Sequence, residues 1–227
     1  MSNVSAHTEK HEFSLYIESL SLLVQKKGPG SSITFSDEKL FHRMMTVLRL
    51  RINDACIFFD QKLFITATIE SFVGKKQIHV LIQSVQSTIP LHPQITFLLP
   101  LLKRDDYEAA LYALTEVGAT VIQLIFTQKT GNKKIDSRDN ERAQRILIAA
   151  AEQSKNFAYP QLKAPIPLEA ALKQTSIIST KIFFDPQGAH LFNVINRLHN
   201  NQPEEIVLLI GPEGDLTAEE KTMAQKN

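Results

Sequence analysis

The sequence predicts an α+β chain of two domains, a small β-barrel over residues 1–90 and a mainly parallel α/β domain over 91–227. Three observations carry this reading. Short extended runs with period-two alternation fill the stretch from Phe13 to about Ile89. Two prolines in STIPLHPQ (87–94) interrupt that pattern and mark the boundary. Beyond them, continuous apolar runs alternate with amphipathic segments, as parallel strands covered on both faces require.

In the first domain, LFITATIE (63–70) and QIHVLIQSV (77–85) alternate as strands, and VGKK (73–76) between them reads as a hairpin turn. KKGPGSS (26–32) is a loop, and only Asp37 to Val47 suggests a helix, with Ser36 or Asp37 as its N-cap. Several short strands with one helix are the build of many RNA-binding barrels, and of generic adaptor barrels as well.

The second domain opens on ITFLLPLL (95–102), a run of the buried-strand type. Residues 105–117 then place Tyr107, Ala110, Leu111, Leu114 and Val117 on one helical face, and Gly118 ends the helix. The strand TVIQLIF (120–126) and the polar loop QKTGNKKIDS lead to a helix from Asn140 to Gln153. That helix buries Ala143, Ile146, Leu147 and Ala150, with Glu141 four residues before Arg145 as a supporting pair. A proline-rich connection, a short helix around Leu168 to Leu172, the strand KIFFD (181–185) and a helix from about Ala189 to His199 follow. The strand EIVLLIG (205–211) and a final helix complete the series. Ligands of such sheets bind beyond the carboxyl ends of the strands, which singles out the loops after Phe126, Phe184 and Ile210.

Composition narrows the function classes. At 227 residues, 43% hydrophobic and 22% charged, the chain excludes disordered and fibrous architectures. No uncharged apolar run approaches the roughly 20 residues of a membrane helix, and the start MSNVSAHTEKHEF is charged where a signal peptide is apolar, so a cytoplasmic protein is expected. The single cysteine, Cys56, rules out an internal disulfide and sits in ACIFFD as a small core residue. Seven scattered histidines and the lack of any cluster with metal-ligand spacing predict no metal site. The net charge of +1 does not announce a nucleic-acid binder, so any basic surface must be local.

The sharpest local feature is IVLLIGPEGDLTAEE (206–220). A strand turns at once through Gly211-Pro212-Glu213-Gly214, where two glycines permit backbone geometry and ligand approach denied to other residues. Thr217 and Glu220 are spaced as a capping box for the next helix. On spacing alone a plain strand-to-helix turn accounts for the loop equally well, since it is too short for a GxGxxG fingerprint and lacks a P-loop lysine.

Taken with HRMMTVLRLRINDACIFFD (42–60), KRDDYEAALYALTEVGA (103–119) and RILIAAAEQS (145–154), the LIGPEG loop resembles the RsmE-type 16S rRNA uridine-N3 methyltransferases of the SPOUT superfamily. The resemblance runs from about residue 36 to the end of the chain, with the motifs in the family's order. It implies an N-terminal PUA-like barrel that holds rRNA and a C-terminal trefoil-knot domain that binds S-adenosylmethionine and forms a homodimer. It also implies that Leu209, Ile210, Gly211, Pro212, Glu213 and Gly214 line the cofactor site, and that Arg43, Arg49 and Lys103 face RNA. No residue is singled out as the catalytic base.

The chain departs from the family at several positions. Asp215 stands where the loop commonly has a further glycine, Lys155-Asn156 replaces a Gly-Arg pair, Tyr112-Ala113 replaces a polar pair, and Thr46 replaces an arginine. Family members also continue past the GPEG helix into LG-x-R-[IV]-LR-x-ET, so the resemblance implies a parallel sheet that is one strand short here. Three readings stay open: an S-adenosylmethionine-dependent rRNA methyltransferase, a catalytically inactive RNA-binding protein, and a nucleotide-binding α/β enzyme unrelated to RNA.

Overall fold

A computed structural model of the chain describes residues 12–130, 135–175 and 178–226. The charged start and part of the polar loop after Phe126 lie outside the described residues. The chain divides into two compact units between Thr88 and Ile89.

The first unit runs β1 (Phe13–Tyr16), α1 (Leu20–Val24), β2 (Ser32–Ser36), α2 (Glu38–His42), β3 (Ala55–Phe59), β4 (Leu63–Val73) and β5 (Gln77–Ser87). Its sheet has the order β1-β3-β4-β5-β2, antiparallel except for the β1–β3 pair. Alternation works as the sequence predicts: Ile65, Ala67 and Ile69 of β4 and Ile78, Val80 and Ile82 of β5 are fully buried. Cys56 is buried with them. The β4–β5 ladder shifts register between Thr66 and Ala67 and again between Ile69 and Ser71, irregularities that bend a hairpin and sharpen its twist.

Two helical features differ from the sequence expectation. Asp37 does cap α2, its carboxylate accepting the N–H groups of Lys39 and Leu40, but the α-helix stops at His42 and Arg43–Val47 forms one π turn. A second helix, α1, stands where none was expected. Five residues are too few to show a 3.6-residue period, and α1 is fixed from outside: the buried Asp60 accepts the N–H of Ser21 at 2.7 Å along with those of Lys62 and Leu63.

The second unit runs β6 (Gln94–Pro100), α3 (Arg104–Glu116), β7 (Val121–Phe126), α4 (Ser137–Ser154), β8 (Gln161–Pro167), α5 (Leu168–Gln174), β9 (Thr180–Phe184), α6 (Leu191–Asn201), β10 (Glu205–Ile210) and α7 (Ala218–Lys226). All four strand pairings are parallel, in the order β8-β7-β6-β10-β9. Leu98, Ile125, Val207 and Leu209 of the sheet pack with Leu168, Ala171 and Leu172 of α5 and with Leu216, which leads into α7.

Gly118, at φ +88°, ends α3 as expected, and the Ala119 N–H closes on the Leu114 carbonyl in the six-to-one bond of a Schellman cap. The proline-rich connection is in fact a strand. β8 carries Pro165 and Pro167 because it is an edge, paired only with β7. The expected Glu141–Arg145 pair is replaced by one between helices: Glu108 of α3 takes Arg142 of α4 and also Arg104. Lys155 and Asp215, where the sequence resemblance implied glycine, both lie in the left-handed region at φ +57° and +60°. Asn156, the other member of the replaced pair, donates to the Thr115 carbonyl at 2.9 Å and so satisfies the end of α3. No described helix is long and apolar enough to cross a membrane.

Candidate functional site

β6 and β10, the first and last strands of the unit, are neighbours in the middle of the sheet, and ligands of parallel sheets bind beyond the carboxyl ends of the strands. Both strands end there in turns that touch: the N–H of Lys103, after β6, points to the Glu213 carboxylate at 3.4 Å. That amide helps hold the Glu213 carboxyl below its usual range, after the larger effect of its own N–H.

β10 leaves the core with Leu209 buried and Ile210 about 43% exposed, then turns at Gly211. A Cβ on Gly211 would lie 2.9 Å from Asp215 Oδ1 and 3.2 Å from the Leu216 nitrogen, so no larger residue fits this turn as it stands. The turn itself closes with the Asp215 N–H on the Pro212 carbonyl at 2.8 Å. Lys129, in the loop after β7, donates from Nζ to the Gly214 carbonyl. The capping box forms as spaced: Glu220 accepts the Thr217 N–H at 2.9 Å, and the Glu220 N–H reaches the Thr217 hydroxyl at 3.3 Å.

On the β9 side of this turn lies a cleft of about 800 Å³, within the range of pockets that enclose small-molecule ligands. Phe183 and Phe184 of β9, Leu191 and Val194 of α6, and Ile210 and Pro212 provide apolar walls. Thr180, Lys181, Asp185, Arg197, Asn201 and Asp215 supply its polar lining. Lys221 Nζ lies 2.7 Å from both Asp185 Oδ2 and Asp215 Oδ2. The ammonium holds both carboxyls below their usual range, and Asp185 followed by Asp215 raises Lys221 in return.

Of the six residues expected at a cofactor, Ile210, Gly211 and Pro212 line this cleft. Leu209 is part of the core beneath it, while Glu213 and Gly214 are engaged from the other side, by Lys103 and Lys129. Arg43 and Arg49 are exposed in the first unit, within and just after the π turn; Lys103 is exposed at the start of α3 in the second. Asp185, Lys221, Lys129 and Glu220 were not among the expected site residues. The local signals were the capping-box spacing of Glu220 and, for Asp185, a carboxylate placed directly after a strand, in KIFFD. Among the described residues no group of three or more His, Cys, Asp or Glu side chains is placed to hold a metal ion.

Residues 90–227, the whole of this βα series, match the model of the RNA methyltransferase domain. The chain belongs to that family. A curated relative from Synechocystis, named ribosomal RNA small subunit methyltransferase E, is 31% identical over 62% of this chain. The match spans 46% of that relative's length. A Rickettsia conorii protein of the same name is 22% identical over 84% of this chain and 76% of its own. Among solved structures, ribosomal RNA small subunit methyltransferase E from Neisseria gonorrhoeae, bound to S-adenosylmethionine, superposes with a TM-score of 0.75 at 22% identity, covering 95% of this chain and 86% of that one. A putative methyltransferase from Legionella pneumophila in complex with the same cofactor also gives 0.75, at 23% identity over 96% and 86%. These neighbours share the fold of this RNA methyltransferase family member, and the resemblance to the RsmE type read from its motifs agrees with the names its relatives carry.

Proposed function

We propose that this chain is an S-adenosylmethionine-dependent methyltransferase of small-subunit ribosomal RNA, acting in the cytoplasm on the N3 of a uridine. The observation that carries the reading is the cleft at the carboxyl ends of β9 and β10, walled by the Gly211–Pro212 turn within the stretch that matches the family. Cofactors bound in the Neisseria and Legionella neighbours support it.

The residues present fit such a cofactor. The apolar walls suit an adenine ring, and Lys181, Arg197 and Asn201 among the lining side chains suit the cofactor's polar groups. Ile210, Gly211 and Pro212 would form the wall, with Leu209 supporting it from the core and Glu213 and Gly214 fixing the turn. The bound cofactor supplies a methyl group carried on a sulfonium. The chain's own part is to align that group with the uracil nitrogen, and the apolar walls exclude water while it does so. Arg43, Arg49 and Lys103 would take phosphates of the RNA, fixing its register without reading its bases. The family's PUA-like barrel, trefoil knot and homodimer belong to this proposal as the architecture in which these residues work.

Calorimetric titration with S-adenosylmethionine, followed by transfer of a labelled methyl group to small ribosomal subunits, tests the reading. Cofactor heat together with labelled N3-methyluridine is expected. Binding of RNA without cofactor heat would overturn it in favour of an inactive RNA-binding protein.

A further inference from the structure

Asp215 lies in the left-handed region. Its φ of +60° is ordinary for glycine and uncommon for a residue with a Cβ, Asp and Asn tolerating it where the side chain bonds locally. Three contacts fix it there: its N–H on Pro212, its Oδ1 accepting the Leu216 N–H at 2.7 Å, and its Oδ2 on Lys221. Lys221 is in turn tied to Asp185, whose side chain is only 12% exposed and whose Oδ1 accepts the Gln187 N–H at 2.8 Å. The chain of contacts therefore runs from a well-anchored carboxylate after β9, through Lys221 of α7, to the left-handed residue after β10. Gly211 lies under the same carboxylate, so any movement of Asp215 moves the wall of the cleft.

We propose that Lys221 is a positioning residue of the cleft: by joining Asp215 to Asp185 it holds Asp215 in the left-handed conformation that shapes the Gly211–Leu216 turn. The inference rests on the cofactor reading above for its consequence in binding, and on the geometry alone for the loop. It assigns Asp185 the part of anchor.

The test is a double-mutant cycle. Lys221→Met, Lys221→Arg, Asp215→Gly and the Lys221→Met/Asp215→Gly pair are made in the full chain and titrated with S-adenosylhomocysteine, whose sulfur is uncharged. Lys221→Met is expected to raise Kd about tenfold, a loss in line with the cost of a left-handed side chain. Lys221→Arg should retain near-normal binding, because it keeps the cation. In the Asp215→Gly background, Lys221→Met should change Kd by less than about twofold, because glycine holds the turn unaided. An equal loss in both backgrounds, no loss in either, or tighter binding without the lysine would overturn the proposal; the last would mean that Lys221 acts by charge on the ligand.

Hydrogen exchange at the amide of position 215, bonded to Pro212, gives a readout that needs no ligand. Lys221→Met should accelerate it in the native background and not in the Asp215→Gly background. If the unaltered chain binds no cofactor analogue, the functional reading falls while exchange still decides the positioning role. Exchange unaffected by Lys221→Met overturns that role.

Discussion

Glu220 accepts the main-chain N–H of Gln128 at 2.8 Å, joining the loop after β7 to the first turn of α7. The other carboxylate oxygen takes the Thr217 N–H, so one side chain, 5% exposed, satisfies donors from two loops at the carboxyl edge of the sheet. With the Lys129 bond to Gly214, this makes the loops after β7 and β10 a single piece.

Replacing Glu220 by Ala should therefore destabilise the second unit by about 2 kcal/mol, because two part-buried amide donors lose their acceptor. Glu220→Gln keeps one acceptor oxygen and is expected to cost about half as much. Urea denaturation of the two variants beside the unaltered chain measures both. Equal stability for all three would mean that water replaces the carboxylate.

Gly211→Ala places a methyl 3.2 Å from the Leu216 nitrogen and 2.9 Å from a carboxylate oxygen that is itself hydrogen-bonded. The turn must open to accept it. Cofactor affinity should fall by at least about tenfold while the melting temperature drops by only a few degrees, since the strain is confined to one surface turn. Comparable losses in both would show that the turn is structural only.

Acid and alkali bound the Asp185–Lys221–Asp215 contact. The two carboxyls titrate below their usual range, so their contribution is present above about pH 4, their unfolded value, and fades as pH falls through the lower folded values. Lys221 titrates above its usual range, so its contribution is present below about pH 10 and is lost above that. The stability difference between the unaltered chain and Lys221→Met should be flat between these limits and shrink outside them. Urea midpoints measured across pH would show it, and a difference that persists at pH 2 would rule the ion pairs out as its source.

Arg43→Ala and Arg49→Ala should each weaken RNA binding at low salt and lower the slope of log affinity against log salt by about one, the signature of a lost phosphate contact. Filter binding at several salt concentrations reads the slope. A weaker affinity with unchanged slope would assign these arginines to shape rather than charge.

What was legible in the sequence was whatever one element carries alone. β4 and β5 showed in their alternation and β6, β7, β9 and β10 in their apolar runs, and the Gly211 turn and the Thr217–Glu220 box showed because capping chemistry is local. β8 was hidden because Pro165 and Pro167 read as breakers, and only its place at the edge of the sheet makes them harmless. Asp185 and Lys221 were hidden for another reason. Nothing in their spacing relates them until the parallel β9–β10 pair sets Phe184 beside Ile210 and brings the two loops to one mouth. Asp215 was visible as a departure, but its backbone angle and its tether were not.

The strand order also bears on how the protein is made. β6 is the first strand of its sheet to leave the ribosome, and one of its edges stays bare until β10 is synthesised and Glu205 can pair with Gln94. The nascent chain must carry the apolar Ile95, Phe97 and Leu98 of β6 through nearly all of the unit's translation with half of its ladder unmade. Central strands paired across such a distance fold slowly and offer a template to other chains in the interval. The same arrangement that sets the Gly211 turn over the middle of the sheet thus makes β6 the strand whose edge waits longest for its partner during synthesis.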